Sequence, residues 1–426
     1  MSVVWCNTDN EADKKTFRGL GLLPTQRFQI ENRPAAIKIE ERFSTEDLQI
    51  LNHYTGPVVW DFNLSLRKDG EEKRGTVRFS FADVLVLNTR EAEVILNGQV
   101  DTHQAMQEAA HKLLAFGAKS VFLLGSTMQK SSRQHDYWTN GTTSFWLTQN
   151  RVSDSKYPEL RSILSAAITG ALALGHLLED ALIIAKMYVH QAVRRGQNNV
   201  YYGAFPEDEA DLPYLASEPL YDPPQPFKPC HRLGLYPVVD RFSWVERLLN
   251  LGVKTIQLRV KEQTKSLEEE MRRSIALAKK YQATLFINDY WEMALELNAE
   301  AVHLGQSDLD TADLEALRKQ GILLGVSTHC YYEVARAHAL RPSYIAIGPI
   351  FPTTSKVMSF TAQGIEGLQR WTRTLHYPLV AIGGINIERM PAVVATGIQG
   401  VALISAITEA EDPQQSTLKL LNLMEQ

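Results

Sequence analysis

Between Leu233 and Ser405 the chain repeats one pattern eight times: a short, almost wholly apolar run followed by a segment of different periodicity. The runs are LGLYPVV (233–239), TIQLRV (255–260), TLFIN (284–288), AVHLG (301–305), LLGVS (323–327), YIAIG (344–348), LVAIG (379–383) and VALIS (401–405). A strand that is apolar throughout must be covered on both faces, the condition of a parallel sheet with helices packed outside it. The stretches between the runs, such as SLEEEMRRSIALAKKYQ and YYEVARAHAL, are amphipathic. Eight strand–helix units in about 200 residues predict an α/β fold of the (β/α)8 TIM barrel type, near the lower end of its size range. A doubly wound open sheet is the structural alternative, but it usually has fewer strands.

The repeat accounts for less than half of 426 residues, so a second folded unit must precede it. Composition changes sharply in one place. Residues 206–229, PEDEADLPYLASEPLYDPPQPFKP, hold seven of the 18 prolines and six acids. Proline fixes φ and removes a donor, so neither a helix nor a central strand can run through such text. The expected organisation is a first domain at 1–205, a linker at 206–229 and the barrel at 230–426.

Bulk chemistry excludes several classes. A net charge of -5 with no Lys/Arg run gives no nucleic-acid surface. Cys6, Cys230 and Cys330 are far apart, which suits a reducing cytoplasm better than a disulfide framework or a zinc site. MSVVWCNTDNEADKK lacks the basic and apolar regions of a signal peptide. The most apolar segment, Ser162 to Leu178, is slightly short for a membrane span of about 20 residues and reads as a buried core helix. The oligomeric state, homo-oligomer or not, stays open.

In a barrel of this kind the chemistry sits at the C-terminal strand ends. The polar residues that close the runs therefore matter most. Arg259 and Lys261 alternate around Val260, and a fork donor beside a point charge suits a diphosphate. Asp289 and Asp308 follow runs three and four. Each alone reads as a helix N-cap, but paired beside Arg259 and Lys261, with Asn288 near, they supply oxygen ligands for Mg2+. Gly383-Gly384 and Ile404-Ser405 close the last two runs, where backbone donors commonly form a monophosphate site. PTTSK (352–356) adds hydroxyls and a lysine. Two anionic sites are implied, one for diphosphate with metal and one for monophosphate.

These residues resemble thiamine-phosphate synthase. LYPVVD, QLRVK, FIND, VHLGQSDL, LGVSTH, IGPIFPTTSK, VAIGGI and VALISAI are similar to the family's successive motifs, in order and spacing, over essentially all of 233–410. The family joins hydroxymethylpyrimidine diphosphate to thiazole phosphate, giving thiamine phosphate and diphosphate. The resemblance implies that Gln257, Arg259, Lys261 and Asn288 hold the pyrimidine diphosphate and that Asp289 and Asp308 hold Mg2+. It implies that Ser327 and Lys356 touch the diphosphate, and that Thr353, Ser355, Gly384, Ile404 and Ser405 hold the thiazole phosphate or its neighbours. Arg259, Lys261 and Lys356 would be the catalytic cations. They would neutralise charge on the departing diphosphate in a dissociative, carbocation-like substitution. His329 and Cys330 form a catalytic pair only on paper, and a structural role is expected for both. The thiazole tautomerases share the fold but need not bind a diphosphate and a metal.

The first domain resembles hydroxymethylpyrimidine phosphate kinase, of the ribokinase-like α/β fold. GPVVWDFNLS (56–65), FADVLVLNTREAEVILNG (81–98), AAHKLLAFGAKSVFLLG (109–125) and ILSAAITGALALGHLLEDALIIAKMYVHQAV (163–193) look like successive parts of it. EADKKTFRGLG is similar to its first helix and AAIKI to a later strand. Asn88 and Glu91 match its NxxE motif. The departures are larger. Where the family has a glycine-rich turn at the start of the last core helix, this chain has Glu159-Leu160-Arg161-Ser162. The glycine-rich segment after the first strand is absent, and the unit is shortened around 22–35. A ribokinase-like domain without kinase activity is expected. The alternative is a bifunctional kinase–synthase with an anion hole built from other residues, Arg161 among them.

Overall fold

The computed structural model describes residues 2–26, 33–40, 49, 51–63, 79–126, 128, 131–152, 157–196, 199–230, 233–261, 266–353 and 360–425. The chain divides into two compact units, Met1–Pro223 and Pro224–Gln426.

The first unit is built on a nine-stranded sheet among the described residues: β1 (Val3–Cys6), β2 (Leu23–Thr25), β3 (Ala36–Ile39), β4 (Val58–Asp61), β5 (Val84–Asn88), β6 (Val121–Leu124), β7 (Arg133–Thr139), β8 (Ser144–Asn150) and β9 (Tyr214–Ala216). Its order is β2-β1-β3-β4-β5-β6-β7-β8-β9, parallel through β6 and antiparallel beyond. The fully buried runs AIKI, VVWD and VFLL form its centre, as apolar parallel strands must. One core gathers Trp60, Phe62, Phe79, Leu85, Met106 and Trp146.

The antiparallel β7–β8 ribbon was not anticipated. It turns on Asn140-Gly141, with Gly141 at φ 92, which only glycine adopts cheaply. The apolar segment from Ser162 is also not one helix. A helix at Leu160–Ala173 is buried without a break from Ile163 to Ala171, and Gly175, at φ 91, ends it. A second helix runs Leu178–Arg194. Among the described residues no helix is long and apolar enough to cross a membrane.

The proline-rich segment 206–229 is ordered in both units. Asp208 caps a 3-10 turn at Glu209–Asp211, and β9 pairs antiparallel with β8 at the sheet edge. An edge strand needs only one side of its ladder, so flanking prolines are tolerated there. Further on, the Phe227 and Cys230 amides donate to the carbonyls of Arg341 and Ser343.

The second unit is a closed barrel of eight parallel strands in chain order. They are β10 (Gly234–Val239), β11 (Thr255–Leu258), β12 (Thr284–Asn288), β13 (Ala301–Leu304), β14 (Leu323–Thr328), β15 (Tyr344–Ile347), β16 (Leu379–Ile382) and β17 (Gly400–Leu403). All eight apolar runs are strands, and β10 pairs with β17 to close the circle. Alternate side chains fill the interior: Tyr236, Val238, Phe286, Ala301, Tyr344, Ala346, Val380 and Ala402 pack as one cluster. Tyr344 fits because β14 has glycine opposite it. A Cβ on Gly325 would stand 2.2 Å from Tyr344 Cζ.

Candidate active site

Strand register carries the polar residues of the barrel to its C-terminal end. Gln257 lies beside Val238, Asn288 beside His303, and Ser327 beside Ala346. Gln257, Asn288 and His303 are buried among the strand ends. β11 ends at Leu258, but the Arg259 amide still donates to Val239 O at 2.7 Å, so the ladder holds Arg259 in place. Arg259 is half-buried and Lys261 is exposed. Lys261 lies near Asp240, whose carboxylate is held below its usual range first by Arg241.

Asp289 follows β12 in the left-handed region, at φ 64. The strained backbone aims it across the rim at Asp308. Neither aspartate caps an α-helix. Tyr290 is the cap residue of the helix Trp291–Glu296, and Asp308 opens a 3-10 turn while its Oδ2 accepts from the Gly305 amide at 2.9 Å. The outer edge of Asp289 meets solvent. Its carboxyl is nonetheless pushed up, by the partly enclosed strand ends and then by the Asp308 carboxylate within hydrogen-bonding reach. The Asn288 side chain and Arg259 oppose that shift.

Two facing acids with this incomplete compensation fit a divalent cation. Among the described residues no group of three or more His, Cys, Asp or Glu gathers to hold a metal. Such an ion would therefore need oxygens from a bound phosphate, the usual situation for Mg2+. Asp289 and Asp308 would be its protein ligands.

A buried polar chain crosses the barrel beneath this rim. Gln257 Nε2 donates to Tyr236 Oη at 3.1 Å, and Tyr236 Oη lies 2.9 Å from Tyr344 Oη. His303 links Tyr344 to Ser327, with Nδ1 2.5 Å from Tyr344 Oη and Nε2 2.7 Å from Ser327 Oγ. Burial pushes both phenols well above their ordinary range and pushes His303 down to about 3, with Arg259 contributing. The imidazole is therefore neutral at physiological pH, and both phenols keep their hydrogens. Sequence reading missed Tyr236, His303 and Tyr344, because each is a single polar residue inside an apolar run.

The monophosphate residues lie on the next strands round. Gly383 and Gly384 follow β16 with φ 101 and 64, and a Cβ on Gly384 would stand 2.6 Å from Pro352 O. Ile404 and Ser405 follow β17 and open the short helix Ser405–Thr408. Thr353 is half-buried beside them in sequence order after β15; Ser355 and Lys356 lie outside the described residues. His329 is fixed by its neighbours. Its Nδ1 lies 2.6 Å from Glu333 Oε2, its amide donates to the same oxygen, and its ring stacks on Phe360. Cys330 is the cap residue of the helix Tyr331–Leu340.

In the first unit the ELRS stretch lies at the start of a helix. Arg161, in the first turn of Leu160–Ala173, turns inward. Its Nε lies 2.7 Å from Asp61 Oδ1 and its Nη1 2.5 Å from Glu91 Oε1, and Nη2 meets the Phe62 carbonyl. Glu91 spends its other oxygen on the Asn88 amide in a capping box. Ser162 sits in a second buried cluster. Lys38 Nζ lies 2.5 Å from Asp13 and also meets Glu40, and Ser162 Oγ donates to Asp13 at 2.6 Å. Burial raises Asp13 to about 6 against the pull of Lys38; burial pushes Glu40 the same way, but Lys38 with the Ser162 and Thr8 hydroxyls holds it below its usual range. A cavity of about 360 Å³ adjoins Arg161, and there Lys186 meets Asp136 at 2.7 Å and His190 meets Asp211 at 2.9 Å.

Comparison with known proteins assigns the units separately. Residues 235–407 match the family model described as thiamine monophosphate synthase, and residues 63–206 match phosphomethylpyrimidine kinase. A thiamine-phosphate synthase of Photorhabdus laumondii is 55% identical over 206 residues, 48% of this chain and 95% of that protein. A thiamine phosphate pyrophosphorylase structure from Pyrococcus furiosus is 30% identical with TM-score 0.41, covering 46% of this chain and 96% of that one. A pyridoxal kinase structure from Staphylococcus aureus, in complex with AMP-PCP and pyridoxal, is 20% identical with TM-score 0.42, covering 51% and 98%.

Proposed function

Because the chain belongs to the thiamine-phosphate synthase family and is accordingly a transferase, we propose that its barrel joins hydroxymethylpyrimidine diphosphate to thiazole phosphate, releasing diphosphate, and that its kinase-like unit is catalytically inactive. The observation that carries the first half is the rim itself, where Arg259, Asp289, Asp308, Asn288 and Ser327 meet at the C-terminal ends of adjacent strands.

Gln257 and Asn288 would bind the pyrimidine end, with Arg259, Lys261, Ser327 and Lys356 on the diphosphate. Asp289 and Asp308 would hold Mg2+, which would supply charge neutralisation on the leaving group. Arg259 and Lys261 add fixed positive charge where the departing oxygen gains its negative charge, which favours the dissociated state over the intact ester. The carbon–oxygen bond breaks with its electron pair leaving on the diphosphate, and the aminopyrimidine ring spreads the positive charge left on the methylene. The thiazole nitrogen, held through its phosphate by Thr353, Ser355, Gly384, Ile404 and Ser405, then attacks that carbon. No protein nucleophile is needed.

The second half rests on Arg161. A guanidinium already matched by two carboxylates has little charge to offer a phosphate, and it occupies the start of the helix where backbone amides would otherwise meet one. Glu159, the residue before that helix, adds a negative charge. A coupling assay on the full chain tests both halves. Product is expected from pyrimidine diphosphate, thiazole phosphate and Mg2+, and none from pyrimidine monophosphate with ATP. Product in both mixtures would overturn the inactive-kinase reading; product in neither would overturn the synthase.

A further inference from the structure

The buried chain from Gln257 to Ser327 has a consequence for substrate choice. This step rests on the synthase reading. Each neutral hydroxyl can donate one hydrogen, and a neutral imidazole can donate from one nitrogen only. With Gln257 Nε2 donating to Tyr236, the Tyr236 hydrogen must go to Tyr344, the only remaining partner in the chain. Tyr344 then donates to His303 Nδ1, and His303 carries its hydrogen on Nε2 and donates to Ser327. With the Gln257 amide in that orientation, any other arrangement leaves a buried O–H without an acceptor, which is costly. Ser327 is left with its own hydrogen free to donate outward.

The one other self-consistent arrangement reverses every bond. It needs the Gln257 amide turned over, with Oε1 on Tyr236, and it leaves Ser327 donating inward to His303. The two ends of the chain therefore cannot be set independently. A phosphate oxygen can only accept, so an anion on Ser327 selects the first arrangement. Gln257 then has one amide hydrogen committed to Tyr236, and its carbonyl oxygen is left to accept from whatever faces it.

We infer that Tyr236, Tyr344 and His303 are positioning residues that transmit hydrogen-bond polarity from Ser327 to Gln257, so that a diphosphate seated on Ser327 makes the site select a ring that presents an N–H donor to Gln257 and reject one that presents a carbonyl. None of the three needs to touch substrate. Tyr236 and Tyr344 are fully buried, and their hydroxyls hydrogen-bond to each other.

The test compares kcat/KM for the aminopyrimidine diphosphate and for its analogue with the exocyclic amino group replaced by a carbonyl oxygen. It uses the full chain as wild type, Tyr344→Phe and Tyr236→Phe. The wild type should prefer the amino compound strongly. Each phenylalanine variant should lose about tenfold or more of that preference, because a severed chain lets the Gln257 amide turn over freely. A purely structural role would lower stability and leave the preference intact, and an undiminished preference in folded variants overturns the inference. A second measurement needs no variant turnover. Histidine-selective 15N spectra of the wild type, saturated with inorganic diphosphate and Mg2+, should place the His303 hydrogen on Nε2, with the resonance assigned by its loss in His303→Gln. A hydrogen on Nδ1 overturns the inference. Absence of wild-type coupling would instead sink the synthase reading, and the spectra would still decide the chain.

Discussion

Arg161 lays its guanidinium on Asp61, Nε to Oδ1 at 2.7 Å, across 100 residues of sequence and at the start of the helix where a kinase would need an anion. Asp61 is buried and Arg161 half-buried, and Glu91, also buried, takes the other side of the same guanidinium. A charge so placed stabilises the fold by satisfying two acids that would otherwise be enclosed unpaired.

Arg161→Ala should therefore destabilise the first unit by about 3–5 kcal/mol, the cost of leaving buried charge uncompensated. Hydrogen exchange followed by mass spectrometry would localise the loss to peptides of Asp61, Glu91 and Ser165, with barrel peptides unchanged. ATP-dependent phosphorylation should not appear in the variant.

Arg259→Ala should cut synthase turnover by about 100-fold or more, as removal of one charge-stabilising donor does. The side chain is only half-buried, so the thermal transition should stay close to that of wild type. Steady-state kinetics with circular dichroism on the same sample would check both.

Asp308→Asn should raise the Mg2+ concentration needed for half-maximal turnover by about tenfold. Removing one of two facing acids should also bring the Asp289 carboxyl down from its raised position. A Mg2+ titration of initial rates reads the first effect, and a 13C-carboxyl titration without metal reads the second.

His303 and His338 give the barrel an acid-sensitive stability. Burial lowers both to about 3, against an ordinary value of 6.5. The unfolded chain then takes up protons first as pH falls below 6.5, so stability is present above that pH and is lost on the way down toward 3. Between pH 7 and 5 the loss should reach about 2 kcal/mol for each histidine. Exchange protection of barrel amides at the two pH values measures it, and His338→Gln should remove roughly half of the slope.

The eight barrel strands were legible because each is an uninterrupted apolar run, and the rim residues because they interrupt those runs at one consistent point. The same logic hid Tyr236, His303 and Tyr344. A polar atom that points into a barrel has no periodic signature, and its partners arrive from strands 21, 24, 41 and 108 residues away. Gly325 is the one local trace of them, a gap in β14 that Tyr344 fills. In the first unit, β4, β5 and β6 are legible as apolar text, and β3 through the family resemblance of AAIKI. The β7–β8 ribbon has its Asn140-Gly141 turn in plain view, but the polar residues of RQHDYWT and SFWLTQN break the apolar pattern that marks the other strands. The Arg161 pairing could not be read at all, because nothing in ELRS says that its partners stand at Asp61 and Glu91.

The pairing of β10 with β17 sets an order of events during synthesis. Gly234 meets Gly400 and Pro237 meets Leu403, so the first strand of the barrel waits for the last. The sheet of the first unit is complete once Ala216 has emerged. A ribosome making this chain thus releases the kinase-like unit first and holds an open, strand-edged barrel until β17 has emerged. A premature stop before residue 400 would leave seven strands with two bare edges, a product for proteases and chaperones rather than a weakened enzyme.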